Sequence, residues 1–420
     1  MREMKDSGIE WIGEIPCDWK LERSQWHLEE VNISNNPIQT NNVLSLTNKL
    51  GVVPYEEKGN QGNKSKENVY EYKLAYPNTI VANSMNILIG SVGLCDYFGC
   101  VSPVYYVFKA KKHNNIKFLN YVFQTVGFQR ELRKYANGIL EIRLRVSASD
   151  ILKRFIPFPS ENEQQRIAEF LDRECGKIDG VKADIQAQID TLEQYKRSII
   201  TEAVTHGLNP SAPMKDSGIP WVGEIPAKWA VLPIYCVYGE RKRKNVFGTE
   251  QNLLSLSYGK VIRKDINTNG GLLPSNYNGY NIIEKNDIII RPTDLQNDRT
   301  SLRTGLVKEH GIITSAYIAL KPKNRVSSKF YHYLLHSYDV KKVFYNMGNG
   351  VRQGLNYGEF AKLMVYYPPL DEQQEIADYL DNKCAEIEQI IADKKTQIET
   401  LDGYKKSLIY EYVTGKKEVV

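Results

Sequence analysis

"EQQRIAEFLDREC" at residues 163–175 returns as "EQQEIADYLDNKC" at residues 372–384, an offset of 209 positions. Further along each copy, "QIDTLEQYKRSII" at 188–200 is matched by "QIETLDGYKKSLI" at 397–409. Through both stretches, aliphatic residues recur at steps of three and four, the period of a coiled-coil seam. The sequence therefore predicts two long, related helices that pack against each other.

Apolar side chains at the a and d heptad positions form the predicted seam. They are Leu171, Ile178, Ile185, Leu192 and Ile199 in the first helix and Leu380, Ile387, Ile391, Ile398, Leu401 and Leu408 in the second. Lys394 interrupts the second seam where Ile185 completes the first. Asn162 and Asp371 are the predicted N-caps, and Gly207 and Gly415 the predicted ends.

A second repeated phrase opens each half of the chain. "MKDSGIEWIGEIPCDW" (4–19) and "MKDSGIPWVGEIPAKW" (214–229) share 12 of 16 residues at an offset of 210. We interpret the phrase as a structural clamp that holds a helix end against a globular body; a contact for a partner protein is the alternative. If a two-fold axis relates the copies, the end of the second helix lies near the phrase of the first copy.

Between these blocks the two copies diverge. Strand-like runs at 78–84, 104–110, 286–292 and 315–321 and helical runs at 117–135 and 328–345 predict a mixed α/β body in each copy. The expected fold class is α/β (mixed α+β) globular domains in duplicate, joined by two long antiparallel coiled-coil helices with pseudo-two-fold symmetry. The predicted order is a first body (1–159), a central helix (160–207), a second body (208–369) and a C-terminal helix (370–420).

Charge is distributed unevenly along the chain. Residues 20–159 hold 18 Lys and Arg against 11 Asp and Glu, and residues 230–368 hold 20 against 10. The helical segments are acidic, with 6 against 10 at 160–207 and 7 against 12 at 370–420. Two basic bodies suit a polyanion such as DNA, whereas acidic helices suit a spacer or a protein-docking surface. Charge alone also fits a role in solubility only.

Side chains that can contact DNA lie in polar loops of both bodies. Arg, Lys, Asn and Gln make the hydrogen bonds that distinguish base edges. The candidate DNA-binding residues are Lys58, Asn60, Gln61, Asn63, Lys64, Lys66, Arg143 and Arg145 in the first body and Arg241, Lys242, Arg243, Lys244, Arg291, Arg299, Arg303, Arg352 and Gln353 in the second.

Sequence signals for catalysis are missing. The chain has no GxxxxGK[ST] phosphate loop, no GxGxxG fingerprint after a strand, and no Asn-Pro-Pro-aromatic segment of the kind found in amino-methyltransferases. His332 and His336 have i, i+4 spacing, but without the Glu of HExxH we interpret them as structural rather than metal ligands. We predict no catalytic residue, no metal site and no bound cofactor.

Composition argues for a cytoplasmic protein. No secretory signal or apolar run of about 18 residues is present, so neither secretion nor membrane insertion is expected. The six cysteines are scattered and are expected to stay reduced.

These features together closely resemble the specificity subunit of type I restriction–modification systems. "SGIxWxGEIPxxW", a divergent body, "EQQxIAxxLD" and the YK-containing block appear twice, in the family's order, over essentially the whole chain. The resemblance implies two target recognition domains, each binding one half of a split, asymmetric double-stranded DNA target with an unread spacer. It also implies a coiled coil that separates them and docks two methyltransferase subunits, with restriction or translocase subunits as further partners.

The resemblance places the chemistry on those partners. S-adenosylmethionine, ATP and Mg, and with them adenine methylation and ATP-dependent DNA cleavage, are expected on partner subunits in this defence against foreign DNA. Lys394 and Lys405 in the second helix depart from an ideal seam and bear on how tightly it packs. Two alternatives stay open, namely a coiled-coil adaptor that binds no DNA and a stand-alone enzyme.

Overall fold

The computed structural model of the chain describes residues 2–47, 51–58, 68–111, 114–138, 144–266, 276–293, 295, 302–323, 325–347 and 354–419. The chain divides into two compact units: unit 1 is Met1–Ile185 with Lys395–Val420, and unit 2 is Gln186–Lys394. Each unit therefore holds one globular body together with part of each long helix. Among the described residues, no helix is both long enough and apolar enough to cross a membrane.

In the part of unit 1 that the structure describes, twelve short strands and three short α-helices precede the first long helix. The strands are β1 Met4–Asp6, β2 Glu14–Pro16, β3 Lys20–Arg23, β4 Leu28–Glu30, β5 Leu44–Thr47, β6 Gly51–Pro54, β7 Lys73–Ala75, β8 Thr79–Asn83, β9 Val92–Cys95, β10 Gly99–Val101, β11 Tyr105–Ala110 and β12 Phe155–Phe158. The helices are α1 Ile116–Gln124, α2 Val126–Arg133, α3 Ala148–Leu152 and the long α4 Glu161–His206.

Unit 2 repeats this order. Its strands are β13 Met214–Asp216, β14 Glu224–Pro226, β15 Ala230–Pro233, β16 Tyr238–Glu240, β17 Leu254–Ser257, β18 Lys260–Arg263, β19 Asn281–Ile283, β20 Ile288–Ile290, β21 Thr304–Leu306, β22 Gly311–Ile313, β23 Ile318–Pro322 and β24 Met364–Tyr367. Its helices are α5 Ser328–Val340, α6 Tyr357–Phe360 and the long α7 Leu370–Val413.

Sheet topology is the same in both units. Unit 1 has a four-stranded antiparallel sheet in the order β4-β11-β8-β9, and unit 2 has the matching order β16-β23-β20-β21. The two-stranded pairs also match: β1-β2 with β13-β14, β3-β12 with β15-β24, β5-β6 with β17-β18, and β7-β10 with β19-β22. The predicted duplication of a mixed α/β body is confirmed at the level of strand pairing.

The four predicted strands are the central strands of the two larger sheets. The runs at 78–84, 104–110 and 286–292 contain β8, β11 and β20, and the run at 315–321 contains all of β23 but its last residue, Pro322. Both faces of these strands are covered by other elements, so most of their side chains are apolar and the runs stand out in the sequence.

Each central strand divides its side chains between two cores. In unit 1, Ile80 and Ala82 of β8 pack on the side of α1 and α2, whereas Val81 packs with the β5-β6 hairpin. In unit 2, Ile288 and Ile290 lie on the helical side and Ile289 faces the β17-β18 hairpin. This alternation follows from the two-residue period of a strand.

The helical run predicted at 117–135 contains two helices, α1 and α2, which meet at Thr125. Thr125 has extended backbone angles, and its hydroxyl donates to the Val122 carbonyl oxygen at 2.7 Å and accepts from the Phe128 N–H at 3.3 Å. Thr125 thus ends α1 and caps α2. Likewise α5 ends at Val340, and a 3-10 helix at Val343–Met347 follows it.

The two long helices run antiparallel within each unit, as predicted. In unit 1, Lys405 contacts Asp179 and Lys182 contacts Asp402. Residue numbers therefore decrease along α7 where they increase along α4, as in antiparallel helices. Unit 2 shows the same trend, since Lys394 contacts Gln188 and Lys196 contacts Glu388. The lysines that interrupt the apolar pattern thus have polar partners on the facing helix.

Side chains of the predicted seam are removed from solvent to different degrees. Leu171, Ile178, Ile185, Ile199, Leu380, Ile387, Ile391 and Leu408 are buried, and Leu192, Ile398 and Leu401 are half-buried. Burial of a leucine or isoleucine side chain contributes about 1.5–3 kcal/mol, so the seam is a substantial source of stability.

The predicted N-caps Asn162 and Asp371 are wrong. The long helices begin at Glu161 and Leu370, so both residues lie inside the first turn. A buried glutamine in each first turn, Gln164 or Gln373, instead ties the helix to the segment before it, because its side-chain N–H donates to the carbonyl oxygen of Pro159 (3.0 Å) or Pro368 (2.8 Å).

Candidate nucleic-acid interface

Nine of the candidate DNA-binding residues lie outside the described residues. These are Asn60, Gln61, Asn63, Lys64, Lys66, Arg143, Arg299, Arg352 and Gln353. The other eight fall into two groups, one inside the globular bodies and one at their surfaces.

Two candidates are structural supports inside the globular bodies. Lys58 is 6% exposed, and its ammonium group lies 4.1 Å from the centre of the Tyr55 ring. Arg303 is 2% exposed; its backbone N–H donates to the Asp339 carboxylate at 2.8 Å and its guanidinium donates to the Arg291 carbonyl oxygen at 3.3 Å. Side chains held in this way brace the loops around them and present little surface to a ligand.

Arg241 is mostly buried against an acidic partner. Its guanidinium forms an ion pair with Asp287, a residue with no exposed surface, and one N–H donates at 2.9 Å. Burial raises the pKa of the Asp287 carboxyl, and the hydrogen bonds from Arg241 and from the Glu284 backbone oppose that rise. Arg241 therefore ties β16 to the turn before β20.

The remaining five candidates are at the surface, and three of them are consecutive. Lys242, Arg243 and Lys244 are exposed; they contact Glu240 at 2.9 Å, Glu284 at 3.4 Å and the Gly279 carbonyl oxygen at 3.0 Å, respectively. Ion pairs between exposed side chains contribute little stability, so a phosphate can compete for these cations. They form what we call the basic segment of unit 2.

Arg145 and Arg291 are exposed at other loops. The backbone of Arg145 pairs with Asn137, with N···O distances of 2.8 and 2.9 Å. The Arg291 N–H donates to the Arg303 carbonyl oxygen at 2.9 Å at the end of β20. In both cases the backbone is fixed while the side chain lies at the surface.

Two buried asparagines are absent from the sequence-based predictions. Asn35 and Asn245 are 0% and 1% exposed, and each closes a loop after the first strand of the larger sheet. They stand 210 residues apart, the offset of the opening phrases. The shared offset is the feature of the sequence that relates the two asparagines. The residues around them differ between the copies, so the match does not stand out.

The opening phrase is a clamp, as predicted. The indole N–H of Trp19 donates to the Glu163 carboxylate at 2.9 Å, and that of Trp229 donates to Glu372 at 3.1 Å. Both tryptophans are buried, and both carboxylates lie in the first turn of a long helix. A carboxylate near a helix N-terminus is stabilised by the helix dipole, which adds to the hydrogen bond.

The far ends of the long helices reach the same tryptophans. In unit 1, a Cβ placed on Gly415 would collide with the Pro16 ring and lie 3.1 Å from Trp19. In unit 2, a Cβ placed on Gly207 would lie 3.4 Å from the Trp229 ring and 3.8 Å from Pro226, without the collision seen at Gly415. The end of the second helix therefore packs on the opening phrase of the first copy, as the repeat predicted.

Histidines 332 and 336 lie on α5 and are half-buried. Burial lowers the pKa of each to about 4, so both imidazoles are neutral near pH 7. Within the described part of the chain, no group of three or more His, Cys, Asp or Glu side chains is placed to hold a metal ion. All six cysteines are free thiols in the structure.

Comparison with known proteins identifies the family. A family model described as the type I restriction modification DNA specificity domain matches residues 27–191 and again residues 240–400. The two matches cover the two divergent bodies and continue into the long helices.

Two curated relatives carry related names. The chain is 24% identical over 297 residues to the type I restriction enzyme MjaX specificity subunit of Methanocaldococcus jannaschii, covering 69% of this chain and 66% of that protein. It is 23% identical over 268 residues to the type I restriction enzyme StySPI specificity subunit of Salmonella potsdam, covering 62% and 57%. The chain thus spans less than two thirds of the length of either relative.

Solved structures share the fold. One, from a study of complex assembly and conformational transition of the type I restriction–modification system, has a TM-score of 0.71 at 12% identity and covers 96% of this chain and 99% of its own. The HsdS subunit from Thermoanaerobacter tengcongensis has a TM-score of 0.50 at 12% identity, covering 96% and 98%. Since the family model accounts for most of the sequence in two successive copies, the chain belongs to the type I restriction–modification DNA specificity family.

Proposed function

We propose that this chain is the DNA-binding specificity subunit of a type I restriction–modification complex. In this proposal it recognises a bipartite, asymmetric DNA target with an unread spacer and directs methyltransferase and restriction subunits to that target. Family membership and the names of both curated relatives support the assignment.

The proposal depends on one observation: the two globular bodies share the same arrangement of strands and helices but differ in the sequences of their surface loops. Units 1 and 2 have the same strand order and the same clamp residues, but the loops between their strands differ in sequence. Two copies of one framework with different loops are what the recognition of two unlike half-sites requires, because base contacts specify sequence while the framework positions them.

Charge supports DNA as the ligand. The two bodies have net charges of +7 and +10 over residues 20–159 and 230–368. Lysine and arginine that neutralise phosphates release counterions, so binding should weaken steeply as salt rises. The basic segment, Lys242–Lys244, and the exposed Arg145 and Arg291 are the described residues best placed for this role.

The long helices suit protein partners better than DNA. Residues 160–207 and 370–420 have net charges of −4 and −5, and phosphates would be repelled by them. Because the helices repeat the same residues, we propose that they offer two equivalent docking surfaces to two methyltransferase subunits. S-adenosylmethionine, ATP and Mg then belong to the partner subunits, and this chain works in the cytoplasm beside them.

Selection from a random DNA library tests the proposal. The purified chain is incubated with random duplexes, bound DNA is recovered over several rounds at two salt concentrations, and the products are sequenced. Two enriched blocks separated by a random spacer of constant length are the expected result. No enrichment, either alone or with a co-purifying methyltransferase subunit, would contradict the proposal and favour a protein-binding adaptor.

A further inference from the structure

A turn in unit 2 presents two apolar side chains to solvent. The sequence Asn245-Val-Phe-Gly248 forms a turn closed by a hydrogen bond from the Gly248 N–H to the Asn245 carbonyl oxygen at 2.9 Å. Val246 and Phe247 occupy its corner and are 61% and 88% exposed. Turn corners are usually Gly, Pro, Asn, Asp or Ser, so a valine and a phenylalanine here need a reason.

Hydrogen bonds to Asn245 hold the turn at 245–248 in place. The Asn245 side chain accepts from the Glu250 N–H at 3.1 Å and donates to the Glu250 carbonyl oxygen at 2.9 Å. Its own N–H donates to the Tyr280 carbonyl oxygen at 3.0 Å. Gly248 has a φ of +62°, and a Cβ there would lie 2.9 Å from the Asn278 side chain. Phe247 therefore stands on a fixed frame and cannot easily fold back onto the body.

Unit 1 has a similar loop, which is also held by a buried asparagine but exposes a different apolar side chain. The Asn35 side chain accepts from the N–H groups of Gln39 (2.9 Å) and Thr40 (3.2 Å) and donates to the Thr40 carbonyl oxygen at 2.9 Å. The loop presents Ile38, which is 46% exposed. In both units a buried asparagine thus holds a loop that exposes an apolar side chain, although at the 210-residue offset Ile38 matches Gly248 and Phe247 matches Pro37.

The position of this tip along the chain indicates its ligand. Phe247 follows closely after the basic segment, Lys242–Lys244, whose three side chains are exposed. Cations contact phosphates, while an apolar side chain beside them can insert between base pairs and unstack them. A surface for another protein would not need three cations next to the apolar tip.

We propose that Phe247 is an apolar wedge that stacks on the bases of the half-site bound by unit 2, with Lys242, Arg243 and Lys244 holding the flanking phosphates. Ile38, exposed on the Asn35 loop, makes a weaker apolar contact in unit 1. This inference rests on the proposed function, since it names a residue that makes the DNA contact.

The test uses the duplex recovered by the library selection, with 2-aminopurine placed at one position of the second half-site at a time. Binding of the wild-type chain should raise the fluorescence at one position, where the base is unstacked. Phe247→Ala should abolish that rise and weaken binding roughly 5- to 150-fold, the range for loss of one base–aromatic stack. Phe247→Trp should retain both the signal and most of the affinity.

Tyr195→Ala is the matched control. Tyr195 is another exposed aromatic residue of unit 2, 54% exposed, but it lies on the acidic helix α4. This variant should bind the duplex like the wild type, and the melting temperatures of all variants should agree because the replaced side chains are exposed.

Two results would overturn the inference. Wild-type affinity and fluorescence in Phe247→Ala would show that the ring does not touch bases. Normal DNA binding with lost capture of a methyltransferase subunit would assign the tip to a protein interface. If the wild-type chain selects no DNA at all, the proposed function itself fails. That result is distinct from failure of the present inference, which is judged only from the Phe247 variants on a duplex that the wild-type chain binds.

Discussion

The backbone N–H of Ser327 donates to the side-chain oxygen of Gln373 at 3.0 Å, and the Gln373 side-chain N–H donates to the Pro368 carbonyl oxygen at 2.8 Å. Gln373 is fully buried in the first turn of α7, and Ser327 is the N-cap of α5. One amide thus satisfies two buried backbone groups and docks the short helix onto the long one. Gln164 does the same for Asn115 in unit 1.

Replacing Gln373 with alanine should destabilise unit 2. Both backbone groups would lose their partner in a buried site, at a cost of about 1–3 kcal/mol each. Gln374→Ala is the control, because Gln374 is exposed and bonds Asp378 on its own helix at 2.9 Å. Denaturant unfolding of the two variants measures the difference, and equal midpoints would contradict this account.

Gly415→Ala should loosen the end of α7 from the opening phrase. Its φ of +71° strains an alanine, and the new Cβ would collide with the Pro16 ring. Gly403→Ala, within α7 and with no atom near the added Cβ, should instead stabilise the helix by up to about 1 kcal/mol. Hydrogen exchange of residues 408–413 should become faster in the first variant only.

Acid should destabilise unit 2 through the half-buried histidines of α5. The pKa values of His332 and His336 are about 4 in the folded chain and near 6.5 when unfolded, so protons bind the unfolded state more readily. Stability is therefore complete above about pH 6.5 and falls as the pH is lowered towards 4. The upper limit is roughly 3 kcal/mol per histidine.

The other copy provides a matched variant for this pH dependence. Counting from the helix N-caps, Asn120 and Gln124 of α1 stand where His332 and His336 stand in α5. The double variant His332→Asn, His336→Gln should flatten the decline in melting temperature between pH 6.5 and 4. An unchanged slope would assign the acid sensitivity to other groups.

Exchanging residues 230–368 for the corresponding body of another family member should change one half of the DNA target. The framework residues of unit 1 lie outside the exchanged segment, so the other half-site should be retained. Library selection or sequencing of methylated DNA reads the result. A change in both halves would disprove modular recognition.

Lengthening both long helices should lengthen the unread spacer. Seven residues inserted after Ile185 and seven after Lys394 preserve the heptad register and add about 10 Å to the helix pair. At 3.4 Å per base pair, the spacer should grow by about three base pairs while both half-sites stay the same. A four-residue insertion in α4 alone is the control. It moves the apolar seam of α4 out of register with the seam of α7, so it should lower the stability of the chain instead.

The sequence by itself determined the duplication, the two long helices, the central strands and the clamp. These features depend on local sequence patterns, namely a heptad period, runs of β-branched apolar residues and a 16-residue segment that occurs twice. Local periodicity reports which face of an element is buried, so such features could be predicted without coordinates.

Only the tertiary structure decided which polar side chains face inward. Trp19 and Glu163 are 144 positions apart, and Arg303 and Asp339 are 36 apart, so no local pattern shows that they meet. An arginine in a polar loop looks the same in a sequence whether it braces the loop or lies at the surface. The difference is set by long-range packing, which places Arg303 inside unit 2 and leaves Phe247 in solvent.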